Sequence, residues 1–190
     1  CLQGFTLRDG RCAYSDGGTS DINKHTGAAM YAGNIGTPSY IVDCVITNCF
    51  AYRGCVRGGS VIRTLITDSG GHNGGLTRFS RLINCIVFGN CAAAAAASKH
   101  ALGHNCEAYG TTFIGVSKDN ALMTENAIAT NCLFLTCRSV NANMKYGGCY
   151  AWNIRDAVPS GVSLTVADPQ FRDAAANDFR LLTTSPAYGG

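Results

Sequence analysis

The sequence predicts an all-β solenoid, a chain wound so that parallel strands stack on earlier copies of themselves. Two observations predict it. The stretch Val42-Asp43-Cys44-Val45-Ile46-Thr47-Asn48 returns, in altered form, at 62–66, 83–87, 109–113 and 130–134. Its central residue falls at Cys44, Thr64, Cys85, Thr111, Cys132 and next at Asn153, in steps of 20, 21, 26, 21 and 21 residues. A second series, Cys55, Leu76, Leu102, Met123 and Met144, steps by 21, 26, 21 and 21 and takes the same insertion at the same place. Self-similarity at this period marks units that bury an apolar face only by stacking on neighbours.

Each element follows from that unit. It is too short for two packed helices, and its apolar residues alternate instead of following helical spacing. Read as strands, Val42/Cys44/Ile46, Ile62/Thr64/Ile66, Ile83/Cys85/Val87, Tyr109/Thr111/Phe113 and Thr130/Cys132/Phe134 face inward. Asp43, Arg63, Asn84 and Asn131 then face outward. Copies of one strand joined by a full turn of chain run parallel, and about eight or nine coils of ~21 residues make a rod about 40 Å long. The 23 glycines cluster between the apolar runs, where corners need positive φ. The four prolines, Pro38, Pro159, Pro169 and Pro186, lie outside the strand cores.

The runs "DCVITNC", "NCIVFGN" and "NCLFLTC" resemble the right-handed parallel β-helix proteins of the pectate-lyase-like superfamily. The opening "LQGFTLRDG" is similar to an early coil of such domains, and the ending "ADPQFRDAAANDFRLLTTSPAYGG" to the terminal segment of bacterial surface β-helix domains. The resemblance spans nearly the whole chain, with coils over 1–166 and a terminal segment of the same domain over 167–190. It implies a fold rather than an activity, because the superfamily hosts lyases, hydrolases, esterases, adhesins and phage spikes.

Composition narrows the function. A net charge of +3, with 15 scattered basic residues, gives no nucleic-acid footprint, and no apolar run is long enough to span a membrane. No signal peptide is present, so the chain reads as a mature fragment or a domain of something longer. Eleven cysteines point to an extracellular or cell-surface setting. Cys44, Cys85 and Cys132 occupy alternate coils about 10 Å apart, too far to bridge, and read as small core residues. The candidate disulfides flank corners: Cys91 with Cys106, Cys49 with Cys55, and Cys137 with Cys149. No C-x-x-C pair exists, which argues against structural zinc, and no cofactor is expected.

Catalysis on this fold would need side chains gathered on neighbouring coils. The outer row Asp43, Arg63, Asn84, Gly110, Asn131 and the row Ser60, Arg81, Glu107, Ile128 each hold a single carboxylate. Neither the paired carboxylates of sugar hydrolysis nor the acidic cluster of a calcium-assisted lyase appears. An arginine-based polysaccharide lyase is the enzymatic alternative. His100 and His104 sit in the insertion and read as solvated loop residues, and Asp16, Asp21 and His25 match no catalytic arrangement. The row Arg57, Arg78, His104, Glu125, Tyr146 is a candidate ligand row for an anionic sugar, or an ordinary charged edge. Trp152 and Tyr150 either stack on sugars or close the core, the second being favoured. The residues Val45, Leu65, Ile86 and Leu133, with Thr112, form an outward apolar stripe, covered either by the "DFRLL" segment or by another subunit. The reading is a non-catalytic structural or adhesive module that self-associates laterally or end to end into fibres. A carbohydrate-binding module and a polysaccharide lyase are its competitors.

Overall fold

The computed structural model describes residues 1–12, 27–51, 54–71, 75–89, 102–103, 105–115, 127–137, 140, 143–173, 176 and 178–188. Among them the chain is all-β. A seven-stranded sheet stacks, in order, Leu2–Gln3, Tyr40–Val42, Ser60–Ile62, Arg81–Ile83, Glu107–Tyr109, Ile128–Thr130 and Lys145–Gly147. An eight-stranded sheet stacks Thr6–Arg8, Val45–Thr47, Leu65–Thr67, Ile86–Phe88, Thr112–Ile114, Leu133–Leu135, Cys149–Trp152 and Leu164–Val166. Every neighbouring pair in both is parallel. Two short three-stranded parallel sheets accompany them, one of Arg11–Cys12, Phe50–Ala51 and Gly70–Gly71, the other of Met30–Tyr31, Val56–Arg57 and Thr77–Arg78. In its first three passes the chain visits all four sheets in turn, and from Arg81 to Trp152 the described strands alternate between the two long sheets. Phe171–Asp173 and Asp178–Leu181 close it as an antiparallel hairpin.

The seven-residue run is two strands meeting at a corner, not one. Asp43, Arg63, Asn84, Gly110, Asn131 and Gly148 stack in register, and all have φ between 46° and 55° except Gly148 at 60°. A second corner stacks Asp9, Asn48, Asp68, Gly89, Gly115, Thr136 and Asn153, again all at positive φ. Asn, Asp and Gly reach this region at least cost. A left-handed residue resets the in/out alternation, which corrects the expected parity. Ile41, Val61 and Leu82 point inward ahead of the first corner, while Val42, Ile62, Ile83, Tyr109 and Thr130 are only half-buried. Gly110 is needed twice over, since a Cβ there would lie 2.4 Å from the Asn84 side-chain oxygen as well as at positive φ.

The core is a set of columns between the sheets. Ile46, Ile66, Val87, Phe113, Phe134 and Ala151 are fully buried from the eight-stranded side, and Phe113 stacks on Phe134 with ring centroids 5.4 Å apart. Val61, Leu82, Ala108 and Ala129 meet them from the other sheet.

The residue after each corner explains the cysteines. Cys44, Cys49, Cys85, Cys106, Cys132, Cys137 and Cys149 each directly follow a residue at positive φ. There the side chain turns inward and donates to the carbonyl two residues back: Cys44 to Val42 at 3.2 Å, Cys85 to Ile83 at 3.4 Å, Cys137 to Leu135 at 3.2 Å. Thr64, Ser69, Ser80 and Thr111 do the same with hydroxyls. The same atoms accept amides stranded by the corner on the preceding pass, Cys44 N to Thr64 Oγ1 at 3.2 Å and Cys49 N to Ser69 Oγ at 3.1 Å. Buried amides require such partners.

All ten described cysteines are thiols, so the candidate bridges Cys49–Cys55 and Cys137–Cys149 are not formed. Cys137 and Cys149 follow different corners and turn to different carbonyls, Cys149 donating to Ala129 at 3.3 Å. Cys49 and Cys55 meet as a hydrogen-bonded pair, which pulls the Cys49 thiol down to about 6. Cys91 lies outside the described residues, so the pair with Cys106 is not described; burial pushes the Cys106 thiol up.

Two register expectations are corrected. Cys149, not Asn153, follows Cys132 in the column, because that pass takes 17 residues. Leu102 pairs with Thr77 and not with Leu76.

Candidate functional surface

The outer face of the eight-stranded sheet carries two side-chain columns, one on each side of the buried central residue. The first holds Val45, Leu65, Ile86, Thr112, Leu133 and Tyr150 in register. The second holds Thr47, Thr67, Phe88, Ile114, Leu135 and Trp152. Strand alternation alone sets both. Thr67 Oγ1 donates to Thr47 Oγ1 at 3.0 Å and ties the polar start of the second column.

The two halves of this face differ. Ile114 and Leu135 are only 7% and 3% exposed, while Leu65, Ile86 and Phe88 are 39%, 40% and 41% exposed. The C-terminal segment makes the difference. Leu181 and Ala187 lie beside Thr112, Leu133 and Tyr150, and the Tyr150 hydroxyl donates to the Pro186 carbonyl. Phe171 and Phe179, packed edge to face at 5.5 Å, stand over Ile114, Leu135 and Trp152. In the hairpin the Asp178 carboxylate takes Arg180 Nη2 at 2.6 Å and Nε at 2.7 Å from its own strand, and Arg172 Nε approaches it from the other strand at 4.0 Å. Arg180 holds that carboxyl down at about 2.

A cleft of about 350 Å³ remains beneath the hairpin, lined by Trp152, Phe171, Phe179, Asn153, Asp168 and Gln170 among others. Trp152 is 42% exposed on this outer face, which corrects the expectation that it closes the core. Sequence reasoning missed the cleft because it depends on a hairpin laid across distant passes.

Of the candidate ligand row, Arg57 and Arg78 are register neighbours, and Tyr31 precedes them. The Arg57 guanidinium lies 5.6 Å from the Tyr31 ring and 5.4 Å from the Phe79 ring, and Arg78 lies 5.1 Å from Phe79. Cation–π contacts of this kind tie these neighbouring strands together. Tyr146 does not belong to the row: it pairs with Ala129 in the seven-stranded sheet and packs edge to face on Phe134 at 6.0 Å. His104 and Glu125, like His100, Asp16, Asp21 and His25, lie outside the described residues.

Asp173 and Asp178 are cross-strand partners in the hairpin, while Asp43 and Glu107 are each held by an arginine. Asp43 is engaged by Arg63 at 2.7 and 2.8 Å and by Gln3 at 2.9 Å, and these partners lower its pKa. Glu107 accepts from Arg81 Nε at 2.8 Å and from the Tyr109 hydroxyl at 3.1 Å. Among the described residues no three His, Cys, Asp or Glu side chains are grouped to hold a metal, and no helix is long and apolar enough to cross a membrane.

No family model, no curated protein and no solved structure matches the chain.

Proposed function

We propose that this chain is a right-handed parallel β-helix module, of the pectate-lyase-like kind, that works without catalysis as a structural or adhesive element outside the cell. Its stacked parallel strands, regular corner columns and single central core support a solenoid. The observation that carries the functional reading is the bare half of the outer face. Leu65, Ile86 and Phe88, on adjoining strands, present one apolar patch that continues the columns the hairpin covers further along. Contiguous apolar surface of this kind marks a protein partner. The module therefore associates laterally through Val45, Leu65, Ile86 and Phe88.

Sedimentation velocity over a concentration series tests this. The wild type associates, and Ile86→Asp does not, while its circular dichroism remains that of the wild type. A wild type that stays monomeric throughout sinks the reading.

A specific observation favours a second reading, sugar binding. Trp152 beside Asn153, Asp168 and Gln170 combines an aromatic face with hydrogen-bonding groups, as carbohydrate sites require. Glycan-array binding that is lost in Trp152→Ala would select it, and unsaturated products from uronate polymers would instead select a lyase.

A further inference from the structure

Along the inner column after the first corner, cysteine and threonine alternate: Cys44, Thr64, Cys85, Thr111, Cys132. Cys44 and Cys85 each meet a threonine on the next pass, so that the sulfurs of Cys44, Cys85 and Cys132 are held two passes apart. The alternation fails once. The pass after Cys132 is shortened to 17 residues, and Cys149 lands directly upon it. In-register neighbours of a parallel sheet lie about 4.8 Å apart, inside the roughly 4.4–6.8 Å separation of Cα atoms that a disulfide spans. Both side chains point into the same column, and the Cys132 amide donates to Cys149 Sγ at 3.5 Å. The two thiols also hydrogen-bond to each other, so loss of the first proton, from Cys149, is eased and loss of the second is opposed.

We propose that Cys132 and Cys149 form a redox latch, oxidised by a small-molecule disulfide to a bond that joins two successive passes. One cysteine loses its proton, attacks a sulfur of the reagent and expels one thiolate. The other loses its proton, attacks the protein's sulfur in the mixed disulfide and expels the second thiolate. The protein gives up two electrons and two protons, and the reagent leaves as two thiols. Both cysteines are buried, and access comes through the edge. The neighbour of Cys149 on the far side is Leu164, in the last strand of the sheet, whose residues are half-buried to exposed and have no further partner strand among the described residues. Edge strands open locally at low cost. The latch has a consequence for the outer face, because the strand Cys149–Trp152 carries Tyr150 and Trp152, on which the C-terminal segment rests.

The test uses the whole chain, incubated in oxidised glutathione, denatured, alkylated and mapped under non-reducing conditions. The expected result is a peptide pair linked through Cys132 and Cys149, with slower hydrogen exchange in Cys149–Trp152 and in the hairpin than in the reduced protein. Cys149→Thr is the control, since threonine already fills this column at Thr64 and Thr111 with the same hydrogen bonds. It should fold as the wild type does, form no link at Cys132 and show no change in exchange on oxidation. Recovery of Cys132 and Cys149 both fully alkylated from the oxidised wild type overturns the proposal. A link from either of them to a different cysteine overturns it as well.

Discussion

The first passes of the eight-stranded sheet and the last ones are built alike and finished differently. Both place an aliphatic or aromatic residue inward, flank it with two outward residues and turn at a left-handed corner. In the early half the outward residues Leu65, Ile86 and Phe88 are left two-fifths exposed. In the late half Ile114 and Leu135 occupy the same column as Phe88 and are buried under Phe171 and Phe179. The chain covers part of its own face and leaves the remainder. The difference shows that an outward apolar residue in this fold has no fixed meaning until its cover is known.

Substitutions in the shared core set the upper end of the scale. Phe134→Ala removes a fully buried ring that stacks on Phe113, and should cost about 3–5 kcal/mol in denaturant unfolding. The comparison itself is broken most directly by placing one charge in each half. Leu135→Asp puts a carboxylate beneath the hairpin and should lower stability by about 2–3 kcal/mol. Ile86→Asp, in the bare half, should change stability by no more than about 0.5 kcal/mol. Equal losses from the two would erase the distinction.

Corner substitutions come next. Gly110→Ala combines positive φ with a Cβ crowding the Asn84 oxygen, and should cost about 1–2 kcal/mol by chemical denaturation. Asn131→Gly, at an equivalent φ of 51°, should be nearly neutral.

The smallest effect concerns acid. Asp178 is lowered from 3.8 to about 2 by Arg180, so its carboxylate stabilises the hairpin fully above 3.8 and loses that contribution as pH falls through about 2. Hydrogen exchange should therefore quicken in Asp178–Leu181 across that window, before the buried columns respond. Asp178→Asn should show no such step.

Much of the fold was legible because a stacked architecture writes its period into the chain. Cys44, Thr64, Cys85, Thr111 and Cys132 do fall in one column. What misled was the corner. Alternation read straight through Asp43 or Arg63 assigns Val42 and Ile62 inward, whereas a left-handed residue shifts the parity and sends Ile41 and Val61 in. The same corner hid the role of the cysteines, which satisfy carbonyls and amides that a turn strands, a task that serine and threonine share. The shortened pass was invisible because Gly147-Gly148-Cys149 and Asn153-Ile154 both resemble a corner. Cover on the outer face was legible only as a choice between the 178–182 segment and another subunit, and not pass by pass, since the hairpin meets passes far from it in sequence.

Side-chain footprinting by hydroxyl radicals, across a concentration series, tests the divided face most directly. In dilute protein Leu65, Ile86 and Phe88 should be labelled and Ile114 and Leu135 spared. As concentration rises, labelling of the first three should fall while that of Tyr31, exposed elsewhere, stays constant. Heavy labelling of Leu135 in dilute protein, or labelling of Leu65, Ile86 and Phe88 that ignores concentration, would contradict the account.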